Sequence, residues 1–295
     1  MEIIVSLDNV TLTAYISSGG FFAIKNLVET HTAIYIKQAM TDMFRAVTRD
    51  GDQVILLMDY DKLKGQAFNA RPFRLEFNPN KLRQIDLTII ETIIPNLEDI
   101  SITRADLAFD LLEVDCSEFI LEKKGRPVAT KYYLSQTGRL ETKYLGASRS
   151  EKQIRLYDKK VERLANGSDK EKDFARQFEH WWRLEFQLRN RAVEEIFDVI
   201  HEIIFKPNQV DTLSFETQLY LSTMLFNKPL WSKVHRNTRA KYKKILENLE
   251  SSDIDYLSEM KKSLQKSQVI IQGQLEFFSG RKSAFPKMPV AHRSE

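Results

Sequence analysis

The chain reads as an α+β protein built on an antiparallel β-sheet core, arranged as two similar β-meander-plus-helix halves and followed by a helical C-terminal subdomain. Three observations predict this. Short β-branched and aromatic runs with period-two alternation fill the first two thirds of the sequence. The tetrapeptide RLEF occurs at 74–77 and again at 183–186, and each copy ends a strand that leads into an apolar-striped segment. After about residue 210 the alternation gives way to helical spacing.

The elements follow in order. VTLTAYI (10–16) alternates, and TAIYIK (32–37) is β-branched and aromatic. FRAVTRDGDQVILLMDY (44–60) is two apolar runs around RDGD, where Asp-Gly favours the positive φ of a tight hairpin turn. RPFRLEFNP (71–79) is a strand. The next segment carries a helical stripe of Leu82, Ile85, Leu87, Ile89, Ile90 and Ile93 that Pro95 ends. A strand follows at 101–114, and residues 128–160 read as a meander with turns at TGR and GASRSEK. The charged run 162–173 is expected to be a loop or a short exposed helix end, and RAVEEIFDVIHEIIF (191–205) an amphipathic helix. Three helices are expected over 215–226, 232–249 and 250–278. This divides the chain into a β-rich domain at 1–209, a helical region at 210–280 and a flexible tail at 281–295.

With 295 residues, 42% hydrophobic and 29% charged, the chain can bury a sizeable core. A single cysteine, Cys116, excludes a disulfide framework and fits a reducing compartment. No cationic-apolar leader opens the sequence, and no apolar run approaches the roughly 20 residues that span a bilayer, so a cytoplasmic protein without a membrane partner is expected. The net charge of +3 says little, but its distribution does: SKVHRNTRAKYKK (232–244) is dense in Lys, Arg and His and holds no acid. Such a run is either a solvated helix face or a nucleic-acid contact. There is no GxxxxGK[ST], no HExxH, no GxSxG and no cysteine pair for zinc.

What remains is chemistry on strands. In ITRADLAFD (102–110), every second residue puts Arg104, Asp106 and Asp110 on one face. KQIRLYDKK (152–160) presents Gln153, Arg155, Tyr157 and Lys159, and WWRLEFQLR (181–189) presents Arg183, Glu185, Gln187 and Arg189. The opposite faces are apolar. If the strands are neighbours, they form a polar floor over a hydrophobic core. Asp106, Asp110 and Glu185 are oxygen ligands suited to Mg²⁺ or Mn²⁺. Arg155, Arg183 and Lys159 can clamp phosphate oxygens. Tyr157 can attack phosphorus, and its neighbouring cations are expected to lower its pKa. The plainer alternative is a half-buried sheet whose charges form cross-strand ion pairs.

The wording TRADLAFD, then YLGASRSEKQIRLYDKKVE, then WWRLEFQLRNRAVEE resembles the replication initiation factor family (the Rep_trans type), the rolling-circle plasmid initiators of Gram-positive bacteria. The resemblance spans about residues 71–205. It implies an antiparallel-sheet nuclease core that binds a double-strand origin, nicks one strand through a tyrosine in the RxYDK segment and later religates it. That tyrosine is Tyr157. The resemblance places the metal on Asp106, Asp110 and Glu185, with Glu76 a further candidate. It also implies a homodimer, a superfamily-1 host helicase as partner, and origin recognition in the C-terminal region, where Lys233, Arg236, Arg239 and Lys241 would contact DNA. A non-catalytic DNA-binding protein on the same scaffold, such as a copy-control repressor, is the alternative. HRNTR (235–239) follows Tyr157 at the wrong spacing for a tyrosine recombinase.

Overall fold

The computed structural model describes residues 2–125, 127–208, 213–248 and 254–286. The first half runs β1 (Glu2–Ile16), α1 (Gly20–Thr30), β2 (Tyr35–Met40), β3 (Met43–Asp50), β4 (Gln53–Asp61), α2 (Lys62–Phe68), β5 (Phe73–Phe77) and α3 (Gln84–Ile93). The second runs β6 (Leu97–Leu112), β7 (Ile120–Lys123), β8 (Thr130–Leu134), β9 (Leu140–Leu145), β10 (Lys152–Asp158), α4 (Lys159–Asn166), α5 (Asp169–Arg176), β11 (Trp181–Arg189) and β12 (Ile203–Lys206). Four helices follow: α6 (Phe215–Phe226), α7 (Lys228–Ser232), α8 (Arg236–Asn248) and α9 (Tyr256–Phe278). No helix among the described residues is long and apolar enough to cross a membrane.

One ten-stranded antiparallel sheet has the order β2-β3-β4-β5-β1-β6-β11-β10-β9-β8. The order is symmetric about the β1–β6 pair, so each half supplies one long central strand and four more stacked outward from it. The two RLEF copies occupy equivalent places, on β5 beside β1 and on β11 beside β6. The duplication expected from the motif is therefore real. The RDGD hairpin also forms as expected, with Gly51 taking φ +54 at the first position of the loop between β3 and β4.

One sheet face is the main core. It carries Leu107, Phe109, Ile154, Leu156, Trp182, Leu184, Phe186 and Leu188 from the three motif strands, all buried. α1, α3 and α9 cover this face with Ile24, Val28, Ile89, Ile90, Met260, Ile271 and Phe278. The helices expected over 210–280 thus divide between two cores. α9 belongs to the sheet, while α6, α7 and α8 pack with β7 and β12 in a separate cluster of Ile120, Ile204, Leu221, Leu225, Trp231, Tyr242 and Leu246. The boundary expected at 209 falls outside the described residues, as does most of the expected tail. The described start of that tail folds back: Phe285 packs on Phe277 and Phe278, each 5.4 Å away between ring centres.

One expectation needs correction and another is narrowed. Residues 191–205 are not a helix. The chain forms 3-10 turns at Asn190–Glu195 and Val199–Glu202, then β12 paired with β7. Its apolar spacing did foretell burial of Ala192, Val193, Ile196, Val199 and Ile200. But the β-branched and aromatic run Ile203–Phe205 finds a strand partner in β7, and tertiary pairing outweighs helical periodicity. The charged run 162–173, expected as a loop or a short exposed helix end, is the end of α4 and the start of α5. Ser168 and Glu171 form a reciprocal capping box that starts α5, and Gly167 separates the two helices.

Phe186 lies at the centre of the core, edge-on to Phe109 at 5.9 Å. Phe186→Ala is expected to cost about 3–5 kcal/mol in urea denaturation, whereas Ser168→Ala, which removes only a cap, should cost about 1 kcal/mol.

Candidate active site

The sheet register brings the three motif strands side by side. Asp110, Arg183, Tyr157 and Thr142 form one row across β6, β11, β10 and β9. Ala108, Glu185, Arg155 and Tyr144 form the next, and Asp106, Gln187 and Gln153 begin a third. Directly opposed residues share a face, so the polar floor exists as the alternation predicts.

Its centre is Arg183. The guanidinium donates from Nε and Nη2 to the two oxygens of Asp110 at 2.7 and 2.6 Å, and from Nη1 to Asp8 at 2.6 Å. The Trp181 indole adds a bond to Asp110 Oδ1 at 2.8 Å. Arg155 donates to Glu185 at 2.8 Å, and Gln187 donates to the other oxygen of the same carboxylate at 2.9 Å. Arg104 grips Asp106 in the same strand through Nε at 2.8 Å and Nη2 at 2.5 Å. Tyr157 lies against these groups. The Arg155 guanidinium is 4.2 Å from its ring centre and the Lys159 ammonium 5.3 Å. The ring forms part of the wall of a cleft of about 420 Å³ that Asp8, Tyr144, Arg155, Lys159 and Arg163 also line.

Burial sets the protonation states. It pushes the Tyr157 phenol well above its ordinary value, and Arg183 and Arg155 only partly oppose that. The expected lowering is therefore corrected: with the phenol 5% exposed, loss of hydration outweighs the cations. Lys159 moves the other way, to about 8, through burial and the positive charges of Arg183 and Arg163. Asp106 is pushed up to about 6 by burial, and by Glu185 and Asp8 against the pull of Arg104. Burial would raise Asp8 too, but Arg183 and Lys159 hold it well below the usual carboxylate range.

Among the described residues no three acids converge in a ready metal cluster. Asp110 is committed to Arg183 and Trp181. Asp106 and Glu185 are diagonal neighbours across β6 and β11; burial first, and Glu185 with Asp8 after it, raise Asp106, and a cation held there would compete with Arg104, Arg155 and Gln187 for the two carboxylates. Mg²⁺ commonly takes only one or two protein carboxylates and keeps water for the rest, so this pair fits its donor chemistry. Glu76 lies on the same floor in the first half and is bonded to Arg74.

Asp8 was missed from sequence. It sits at an irregularity of β1 between Leu7 and Asn9, where the pairing with β6 shifts. A signal was legible: the buried apolar positions switch from odd numbers (Val5, Leu7) to even ones (Val10, Leu12, Ala14). That parity change marks an inserted residue. The first half holds no second tyrosine in this place. Asp59 lies opposite Arg74 where Tyr157 lies opposite Arg183, and Leu57 lies opposite Glu76 where Arg155 lies opposite Glu185.

The basic segment is a separate surface. Lys233 is in the turn between α7 and α8; Arg236 and Lys241 are exposed on α8. Arg239 is half-buried on the inner side, and the outward stripe continues instead through Asn237 and Lys244. Tyr242 anchors the helix, stacked on Tyr220 at 4.3 Å and donating to Glu216 at 2.9 Å.

Residues 9–97 match the family model for the N-terminal part of RepD-like replication initiation proteins. One replication initiation protein of Staphylococcus aureus is 34% identical over 223 residues, covering 75% of this chain and 68% of the relative. A second from the same species is 31% identical over 277 residues, covering 92% and 85%. A rolling-circle replication initiator structure from Geobacillus stearothermophilus aligns with 84% of this chain and 96% of its own at 16% identity, with a TM-score of 0.41. The chain belongs to the family of plasmid replication initiation proteins.

Asp110→Ala would leave the buried Arg183 with only Asp8. It is expected to destabilise the fold by about 3–5 kcal/mol. Arg71→Ala, which breaks an exposed pair with Asp99, should cost under about 1 kcal/mol in the same denaturation assay.

Proposed function

We propose that the protein initiates rolling-circle replication of a plasmid as a site-specific nickase and religase. The observation that carries this is Tyr157, held between Arg155 and Arg183 on the wall of a cleft, in a chain of this family. In the nicking step the Tyr157 phenolic oxygen bonds to phosphorus and the bond from phosphorus to the 3′ oxygen breaks. The 5′ phosphate stays on the tyrosine and the 3′ oxygen leaves as a hydroxyl that primes synthesis. Attack of a 3′ hydroxyl on the phosphotyrosine reverses the exchange and restores the phenol. Lys159, whose neutral form is within reach near pH 8, receives the phenol's proton in the first step, and solvent water gives the leaving 3′ oxygen the proton that makes it a hydroxyl. Arg155 remains beside the ring and balances charge as the phosphate approaches. A Mg²⁺ or Mn²⁺ held by Asp106 and Glu185 would neutralise the phosphate and ease departure of the 3′ oxygen.

The origin duplex binds along α8. Lys233, Arg236, Lys241 and Lys244 contact phosphates, and the exposed Asn237 near the helix start is placed for a base edge. Arg239, half-buried, supports the helix rather than the DNA. A second copy of the chain and a superfamily-1 host helicase complete the assembly that the family resemblance implies.

Tyr157→Phe is expected to bind a supercoiled origin plasmid as tightly as the native chain and to form no covalent adduct with Mg²⁺ or Mn²⁺. If the variant still supports nicking, the assignment fails. If the native chain binds but never nicks, the non-catalytic reading replaces it. Lys241→Ala with Lys244→Ala should weaken duplex binding and lower the slope of log affinity against log salt by about 2, measured by fluorescence anisotropy.

A further inference from the structure

The polar floor does not stop at Tyr157. The row Asp110–Arg183–Tyr157–Thr142 continues onto the edge strand β8 as Tyr133, and the row Glu185–Arg155–Tyr144 continues as Lys131. Two strand spacings of roughly 4.8 Å put Tyr133 about 10 Å from Tyr157 along the sheet. Tyr133 is 46% exposed although it is a large aromatic residue on a sheet. Its ring meets Tyr144 edge-on at 5.9 Å, and the Lys131 ammonium lies 4.6 Å from its centre. Tyr144 in turn stands opposite Arg155 in the sheet register and lines the cleft that holds Tyr157. An aromatic pair, exposed at Tyr133 and half-buried at Tyr144, with a cation over it thus runs into the candidate active site.

The rear of the same strand is held in place. Tyr132, pointing the other way, donates to the Leu225 carbonyl at 2.8 Å. The Lys143 ammonium lies 5.1 Å from the Tyr132 ring and bonds Glu122, which Lys228 also bonds. β8 is therefore clamped against α6 and the start of α7 through Tyr132, and its front face carries the exposed Lys131 and Tyr133. This end of the sheet is also the end that carries α8.

We propose that Tyr133 and Tyr144, with Lys131, form a stacking platform for the single-stranded DNA that flanks the scissile phosphate. Bases present flat π-faces whatever their identity, and a rigid aromatic ring beside a cation suits one base and its phosphate. An aliphatic peptide would gain nothing from the cation. The platform holds the melted strand so that its phosphodiester reaches Tyr157, which makes Tyr133 a positioning residue. This rests on the strand-transfer reading above, with the platform's own test free of chemistry.

The test uses the full-length Tyr157→Phe chain and a short fluorescein-labelled oligothymidylate. Adding Tyr133→Ala is expected to weaken its binding by about tenfold, since base–aromatic stacking carries most of a base's contact. Tyr133→Phe, which keeps the ring, should bind as the parent does. Duplex origin DNA should bind all of them equally. With 2-aminopurine placed next to the nick position, quenching should persist in Tyr133→Phe and vanish in Tyr133→Ala. Equal oligothymidylate binding by the alanine variant would overturn the platform while leaving the nickase reading intact. A change in oligomeric state without a change in strand binding would also overturn it, marking β8 as a contact between copies. Failure of the native chain to nick would count against the nickase reading alone.

Discussion

The bidentate contact between Arg183 and Asp110, extended to Asp8, is the interaction on which the rest depends. It ties β11 to β6 and, across β6, to β1, which joins the two halves of the sheet. The arginine is almost fully buried, so its desolvation must be met by charges of good geometry, and two carboxylates supply them, one of them also held by the Trp181 indole. Satisfied in this way, Arg183 cannot swing freely, and Tyr157, directly opposite it, has a fixed environment. The plainer sequence reading, that these charges form cross-strand ion pairs, is true as a description of the resting state. It does not compete with a chemical role, because the same ion pairs create the buried, charged wall on which the phenol lies.

The duplication explains why so large a sheet has its candidate site at one place. Both halves keep the Arg-Leu-Glu-Phe strand, so both keep an arginine and a glutamate on the polar face. Only the second half sets a tyrosine opposite the arginine and a second arginine opposite the glutamate. In the first half an aspartate and a leucine stand in the corresponding positions, and the Arg74–Glu76 pair closes on itself. The match to the RepD-like N-terminal model covers this first half, up to the start of β6. The two halves then share one core, with α9 sealing the middle of it.

Legibility in the sequence followed the range of the interactions concerned. The faces of β6, β10 and β11 were readable because alternation is local. So was the hairpin at Gly51. The capping box at Ser168 and Glu171 was equally local, but the charge density around it hid it. The segment 191–205 was misread because its apolar spacing reports burial, while its hydrogen-bonding pattern was chosen by β7, some eighty residues earlier. Asp8 was overlooked because a bulge changes which face a residue occupies, and the partner that makes it matter lies on a strand far away in sequence. Arg239 is half-buried while Arg236 and Lys241 are exposed, a difference that the run of basic residues does not reveal.

By itself, then, the amino-acid order determined which side chains share a face, that two similar halves exist, and that a basic helix lies apart from the sheet. Only the tertiary structure decided that Tyr157 is buried rather than activated at rest, that Asp110 serves Arg183 while Asp106 pairs with Arg104 and Glu185 with Arg155 and Gln187, and that the floor runs on to Tyr133 at the sheet edge. The reason is physical. Side-chain direction is set by backbone geometry within a strand, whereas pKa, ion pairing and exposure are set by whatever distant segments are packed alongside, and those neighbours exist only once the sheet is assembled.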